Sequence, residues 1–187
     1  MTGDRDKASQ AEMDAHFFVS KGVEYYATAR FAVHAQQVGV CGNLFHHAVE
    51  MSLKGGLAKK GHQLSELKAW EHNLKRLWRE FKTAFANVDL TQHDKTISQL
   101  DKFEEMRYPS AALKAMAISV QWSGEPPRAV FREGKTPKQF VLIVSDVDAL
   151  VADVIRVSSW NQVAIMPRNP VVREAIAREN AQAGFFH

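Results

Sequence analysis

Between His72 and Phe85 the apolar residues Leu74, Leu77, Trp78, Phe81 and Phe85 recur at helical spacing, and Lys75, Arg76, Arg79 and Lys82 fill the positions between them. An apolar stripe with charge opposite it is stable only as a helix laid against something else. The chain therefore needs several such rods around one core. Met13 to about Gln37 reads as one long helix: Phe17, Tyr25, Tyr26, Phe31 and Val33 stand among alanines, with no proline, a single glycine (Gly22) and Asp14 as N-cap. Gly39 to Gly42 reads as a break. Asn43 then caps a second helix to about Lys59, with stripes Leu44, Ala48, Met51, Gly55 and Phe45, Val49, Leu53, Gly56. The Gly55-Gly56 pair weakens that helix or lets a neighbour close in, and Gly61 ends it. Ser65 is placed to cap a short helix with Glu66 in its first turn. A further helix spans about Asp94 to Arg107, with Ile97, Leu100, Phe103 and Met106 inward, and Pro109 stops it.

The texture then changes. Gly124-Glu-Pro-Pro127, Gly134 and Pro137 break the chain before the apolar run FVLIV at 140–144, so 118–144 reads as loop or short β pieces. Ser145 starts another helix, with Val147, Leu150, Val151 and Val154 as its stripe, ending near Trp160. Pro167 and Pro170 punctuate a linker before a short terminal helix from Val171 to about Gln182. The expected fold is all-α: an up-and-down antiparallel bundle of four to five helices, a loop or short β insertion near 118–144, and a C-terminal helix. Residues 1–12 are expected to form a disordered tail, 13–160 the bundle domain, and 161–187 the linker and last helix.

Composition narrows the partners. With one cysteine, Cys41, among 187 residues, no internal disulfide framework is possible, which suits a reducing cytoplasm. The first residues are polar and the longest apolar run is far too short for a bilayer, so neither a signal peptide nor a membrane partner is expected. From Lys54 to Lys82 eight Lys/Arg face three acids, a local +5 in a chain of net +3, so the remainder carries −2. Such a stripe attracts phosphates, although helix surfaces also collect lysines without any ligand.

The chemistry concentrates in LFHHAVEMSLKGGL at 44–57. On a helix His46 and Glu50 are four apart and His47 and Glu50 three apart, so each pair shares a face. Zinc needs three or four ligands, yet there is no HExxH, no cysteine pair, and no Glu followed by His three residues later. No metal and no cofactor is expected. The bland alternative is that one histidine packs inward and the other is solvated. Cys41 lies near a helix start, but nothing around it marks an activated thiol. GxxxxGK[ST] and GxGxxG are both absent. His72 and Asn73 either cap the helix they open or bind a ligand, and Arg107 either complements a helix C-terminus or forks a phosphate.

YYATAR at 25–30, LFHHAVEMSLKGGL at 44–57, ELKAWEHNLKRL at 66–77 and LDKFEEMRYP at 100–109, in that order, resemble a HEPN domain (higher eukaryotes and prokaryotes nucleotide-binding) over roughly residues 13–113. Members of that family act as RNases in toxin and antiphage systems, as RNA- or nucleotide-binding modules, or as partners of nucleotidyltransferase domains. The resemblance thus implies a cytoplasmic, homodimeric helical bundle. Its RNase members carry Arg-x4–6-His. Arg107 is the natural arginine here, but Ala112, Leu113 and Lys114 stand where the histidine would be, and no arginine in the chain has a histidine five to seven residues on. The expectation is therefore a HEPN-like bundle without the RNase dyad, binding RNA or a nucleotide. Arg107 and Arg76 would clamp phosphate, Tyr108 would offer a stacking face, His47 and His72 would hydrogen-bond base or ribose, and Lys54 would add charge. The alternatives are an atypical ribonuclease using Arg107 with His72 or His93, and a non-catalytic dimeric interaction module docking through 118–140 or the Phe185-Phe186 end.

Overall fold

A computed structural model of the chain describes residues 3–107, 116–125 and 138–186. The chain is mostly helical: α1 (Gly3–His34), α2 (Val38–Lys59), α3 (Leu64–Ala69), α4 (Leu74–Ala84), α5 (Asp94–Phe103), α6 (Val144–Val157), α7 (Gln162–Ile165) and α8 (Pro170–Ala177). Short 3-10 turns cover Thr91–His93, Glu104–Arg107 and Ala183–Phe185. The strands β1 (Met116–Gln121) and β2 (Lys138–Ile143) form a parallel pair, in register from Met116 opposite Lys138 to Gln121 opposite Ile143. No helix among the described residues is long and apolar enough to cross a membrane.

The central rod is α2. Its side chains are small or apolar nearly all round, so it is buried on most sides, with Phe45, Val49, Leu53 and Leu57 fully enclosed. It runs antiparallel to α1. A side chain on Gly22 would strike Ser52 and Ala48, and one on Gly55 would press on Val19 and Ala15. Around the pair, α4 contributes Leu74, Leu77 and Phe81, α5 contributes Ile97, Leu100 and Phe103, and α6 contributes Val147, Leu150, Val151 and Val154. β2 closes one side through Phe140 and Leu142, with the Phe140 and Phe103 ring centres 5.5 Å apart.

Several expected boundaries move, each for a local reason. The helix expected from Met13 begins at Gly3, with Asp14 inside it. The expected break at Gly39–Gly42 is helical. The chain turns earlier, where Gln36 takes a left-handed φ of 57°, and α2 starts at Val38 with Asn43 in its interior. Gly42 is there for proximity: a Cβ on it would collide with the Phe103 ring. Ser65 lies inside α3, whose N-cap is Gln63. The expected start at Ser145 falls one residue late. Val144 opens α6 straight from β2, and the Ser145 amide donates to the Trp122 carbonyl at 2.9 Å. The terminal helix is shorter than expected, ending at Ala177 rather than near Gln182.

Candidate functional site

Glu50 lies on the second half of α2, its side chain fully buried. A bare carboxylate there would be costly, and the chain surrounds it with donors. Lys54, one turn on along the same helix, donates to Oε1 at 2.7 Å. His47 Nδ1 stands 3.2 Å from Oε2 and His72 Nδ1 stands 3.0 Å from the same oxygen. A carboxylate can only accept, so each ring donates its Nδ1–H and turns its Nε2 edge outward. Burial pushes the Glu50 carboxyl up. The hydrogen bonds from His47, Lys54 and His72, with the Lys54 charge, outweigh it and hold the group at about 2.

His72 reaches this carboxylate because the connector between α3 and α4 is bent. Glu71 takes φ 48°, an uncommon conformation for a residue with a Cβ, and its carbonyl accepts from Lys54 Nζ at 2.9 Å. One buried ammonium thus orients the carboxylate and the connector together. Asn73 then caps α4 by accepting the Arg76 amide at 2.9 Å. Of the two possible caps in His72-Asn73, the asparagine caps and the histidine turns to Glu50.

His46 faces the other way, fully buried. Its Nδ1 lies 3.1 Å from the Leu100 carbonyl, which can only accept, so that nitrogen carries the proton. Burial lowers the pKa of the ring and keeps it neutral. Its Nε2 is then a bare lone pair, enclosed and without a hydrogen-bond partner. It points between Glu50 Oε2, at 4.0 Å, and Glu104 Oε2, at 3.8 Å. With a neutral ring, neither contact is an ion pair.

Of the six residues singled out for ligand binding, His47, Lys54 and His72 converge on Glu50. Lys54 is spent inside the cluster rather than offered to a ligand. Arg76 lies exposed one turn beyond His72, its guanidinium 5.4 Å from the Trp70 ring centre. Arg107 ends the 3-10 turn that follows α5, and the same turn brings Glu104 to His46. The Arg107 side chain and all of Tyr108 lie outside the described residues. His93, the alternative catalytic histidine, is buried with Nε2 2.9 Å from Asp153.

Much of the basic stripe is spoken for. Lys75 pairs with Asp101 at 2.8 Å, Arg79 with Glu80 at 3.2 Å and Lys82 with Asp94 at 2.7 Å. Among the described residues no carboxylate pairs with Arg76, whose exposed guanidinium lies over the Trp70 ring.

A second buried ionic group escaped the sequence reading. Arg30 of α1 and Asp148 of α6 form a fully enclosed pair, NH1 contacting both carboxylate oxygens at 2.6 and 2.5 Å. Arg30 also donates to the carbonyls of Ala175, at 2.8 Å, and Arg178. Tyr26 donates to Asp148 at 2.5 Å, and Asn180 donates to the Tyr26 hydroxyl at 2.9 Å. A signal was present: Val19, Val23, Tyr26 and Arg30 share one face of α1, the face that the structure buries.

No family model, curated protein or solved structure matches this chain.

Proposed function

We propose that the chain is a HEPN-like bundle that binds RNA or a nucleotide where α2 meets the α3–α4 connector, and that it does so without the family's RNase dyad. The observation that carries the reading is the pair of imidazoles held on one buried carboxylate with their Nε2 edges turned outward, His72 with 46% of its side chain exposed and His47 with 19%. Fixed acceptors of this kind suit the donor groups of a base or a ribose. Arg76, exposed over the Trp70 ring and paired with no carboxylate among the described residues, supplies the phosphate contact. The buried Glu50 does not repel phosphate strongly, because Lys54 neutralises it from within.

The test is an anisotropy titration with a labelled short RNA and, separately, with a labelled ATP analogue, both in a chelator. Affinity falls as salt rises. His72→Ala, Arg76→Ala and Arg107→Ala each weaken it about tenfold, the cost of one charge-assisted contact. Flat titrations with both ligands overturn the reading.

A second reading, an atypical ribonuclease, draws support from one feature. A carboxylate accepting from Nδ1–H orients an imidazole as a general base, and Glu50 does this for two. Labelled tRNA cleaved by the wild type and spared by His72→Ala supports it; equal background with both removes it.

A further inference from the structure

The donors that meet at Glu50 are also of the kinds a transition metal takes: two imidazoles and a carboxylate. His47, His72 and Glu50 each bring one ligand atom, and the three atoms lie within 4.8 Å of one another. His47 Nδ1 and His72 Nδ1 stand 3.2 and 3.0 Å from Glu50 Oε2. A tetrahedral ion with bonds of about 2.0–2.1 Å to nitrogen and oxygen separates its ligand atoms by about 3.3 Å. The two nitrogen–oxygen separations are close to that value, and rotation of the two rings, which stand on separate segments, has to set the nitrogen–nitrogen separation.

The surroundings resemble those of a built site. The Glu50 orientation is fixed through its other oxygen by Lys54, as outer partners fix a ligating carboxylate. The two imidazoles come from separate segments, α2 and the connector, and that connector is held in its bent form by the same lysine. His46 is an independent sign. Its Nδ1 is tied to the Leu100 carbonyl, and its Nε2 lone pair, wholly buried and without a hydrogen-bond partner, points between Glu50 Oε2 at 4.0 Å and Glu104 Oε2 at 3.8 Å. A buried lone pair facing a carboxylate oxygen asks for something positive between or beside them.

We propose that His47, His72 and Glu50 form a three-donor site for a divalent transition metal, zinc above all, with at least one coordination position open on the exposed side of His72. Two imidazoles and a carboxylate with an open position is the donor set that suits zinc, and imidazole nitrogen disfavours magnesium and calcium. Binding requires both rings to present a bare Nδ1. Each proton now on that nitrogen moves to Nε2 of the same ring, and the metal replaces two N–H···O bonds with two N–metal bonds. The Lys54 ammonium on the far oxygen opposes a dication. The site is therefore weaker than an all-histidine one and suited to exchangeable metal. This proposal goes beyond nucleotide or RNA binding and stands without it.

The experiment uses the full chain, stripped with chelator and free of nucleic acid, titrated calorimetrically with Zn2+ alone. The wild type takes up one equivalent, and His72→Ala and His47→Ala each weaken binding tenfold or more. Circular dichroism confirms that both variants are folded, which the exposed position of His72 favours. Co2+ in place of Zn2+ gives the intense visible band of a four- or five-coordinate ion, lost in His72→Ala. Absence of Zn2+ uptake by the wild type overturns the proposal, as does stoichiometric uptake that both variants retain or a cobalt complex without that band. RNA binding in chelator, measured separately, is untouched by any of these failures.

Discussion

Among the described residues two carboxylates are buried beside a cation, and the molecule uses them differently. Asp148 meets Arg30, and every nitrogen of that guanidinium is engaged by protein: Asp148 takes one, and the Ala175 and Arg178 carbonyls take the others. Tyr26 and Asn180 complete a closed knot that ties α1, α6 and the C-terminal segment together. Glu50 is buried as deeply, but two of its three donors are imidazoles whose far edges reach the surface. Burial of charge alone therefore says nothing about function. What separates the two clusters is whether the partners have atoms left over.

The closed cluster is where a single change does most damage. Asp148→Asn leaves Arg30 without its anion in a dry interior and costs about 3–5 kcal/mol, read as a shift in the urea midpoint at unchanged slope. Replacing both partners, Arg30→Met with Asp148→Leu, costs less than the asparagine alone, since no orphaned charge remains. An Asp148→Asn protein within about 1 kcal/mol of wild type would mean that the two clusters do not differ as described.

In the open cluster Glu50→Gln has the next largest effect. The Glu50 carboxyl sits at about 2 against an ordinary 4.5, and at 1.36 kcal/mol per pH unit that difference contributes about 3 kcal/mol at neutral pH. Because the folded value is the lower one, this stability is fully present above about pH 4.5 and is lost as pH falls toward 2. His46 adds to the loss with the same sign. Its folded value is also lowered, so stability begins to drop once pH passes below the ordinary 6.5. The groups facing this pair are His47 and Lys54 on α2, His72 on the connector and Glu104 after α5. Acid denaturation of Glu50→Gln therefore lacks the step between 4.5 and 2 and keeps the earlier one. If the two acid profiles coincide, Glu50 is not the anchor of the cluster.

How much of this the sequence carried depends on the range of each interaction. The α4 stripe, the α5 stripe and the helix after FVLIV follow from spacing alone, because each residue's face is set by its own helix. The Gly39–Gly42 break failed because a glycine reads the same whether it turns the chain or admits a ring. Only the position of Phe103, sixty-one residues on, makes Gly42 a packing residue. The contact of His47 with Glu50 was legible as a three-residue spacing on one helix. The arrival of His72 was not, because it depends on a left-handed bend at Glu71 held by a lysine from another helix. The pairing of Arg30 with Asp148 spans 118 positions. Helical spacing places the arginine on the face of Val19, Val23 and Tyr26, but cannot name its partner.

The smallest effect on stability tests the contrast most cleanly. His72 is half in solvent, and Glu50 keeps His47 and Lys54 when it is gone. Losing one hydrogen bond to a charged acceptor from so exposed a ring costs about 1 kcal/mol or less. Asn180→Ala in the closed cluster also removes one polar group, but a buried one, donating to Tyr26 and to the Ile176 carbonyl. It costs about 1–3 kcal/mol and changes no binding property. The two variants should therefore cross over: His72→Ala melts within a few degrees of wild type and loses zinc or RNA affinity, while Asn180→Ala melts lower and binds as before. If both lose stability alike and neither changes binding, the exposed edges of His47 and His72 have no ligand, and the Glu50 cluster is a second fastening like the first.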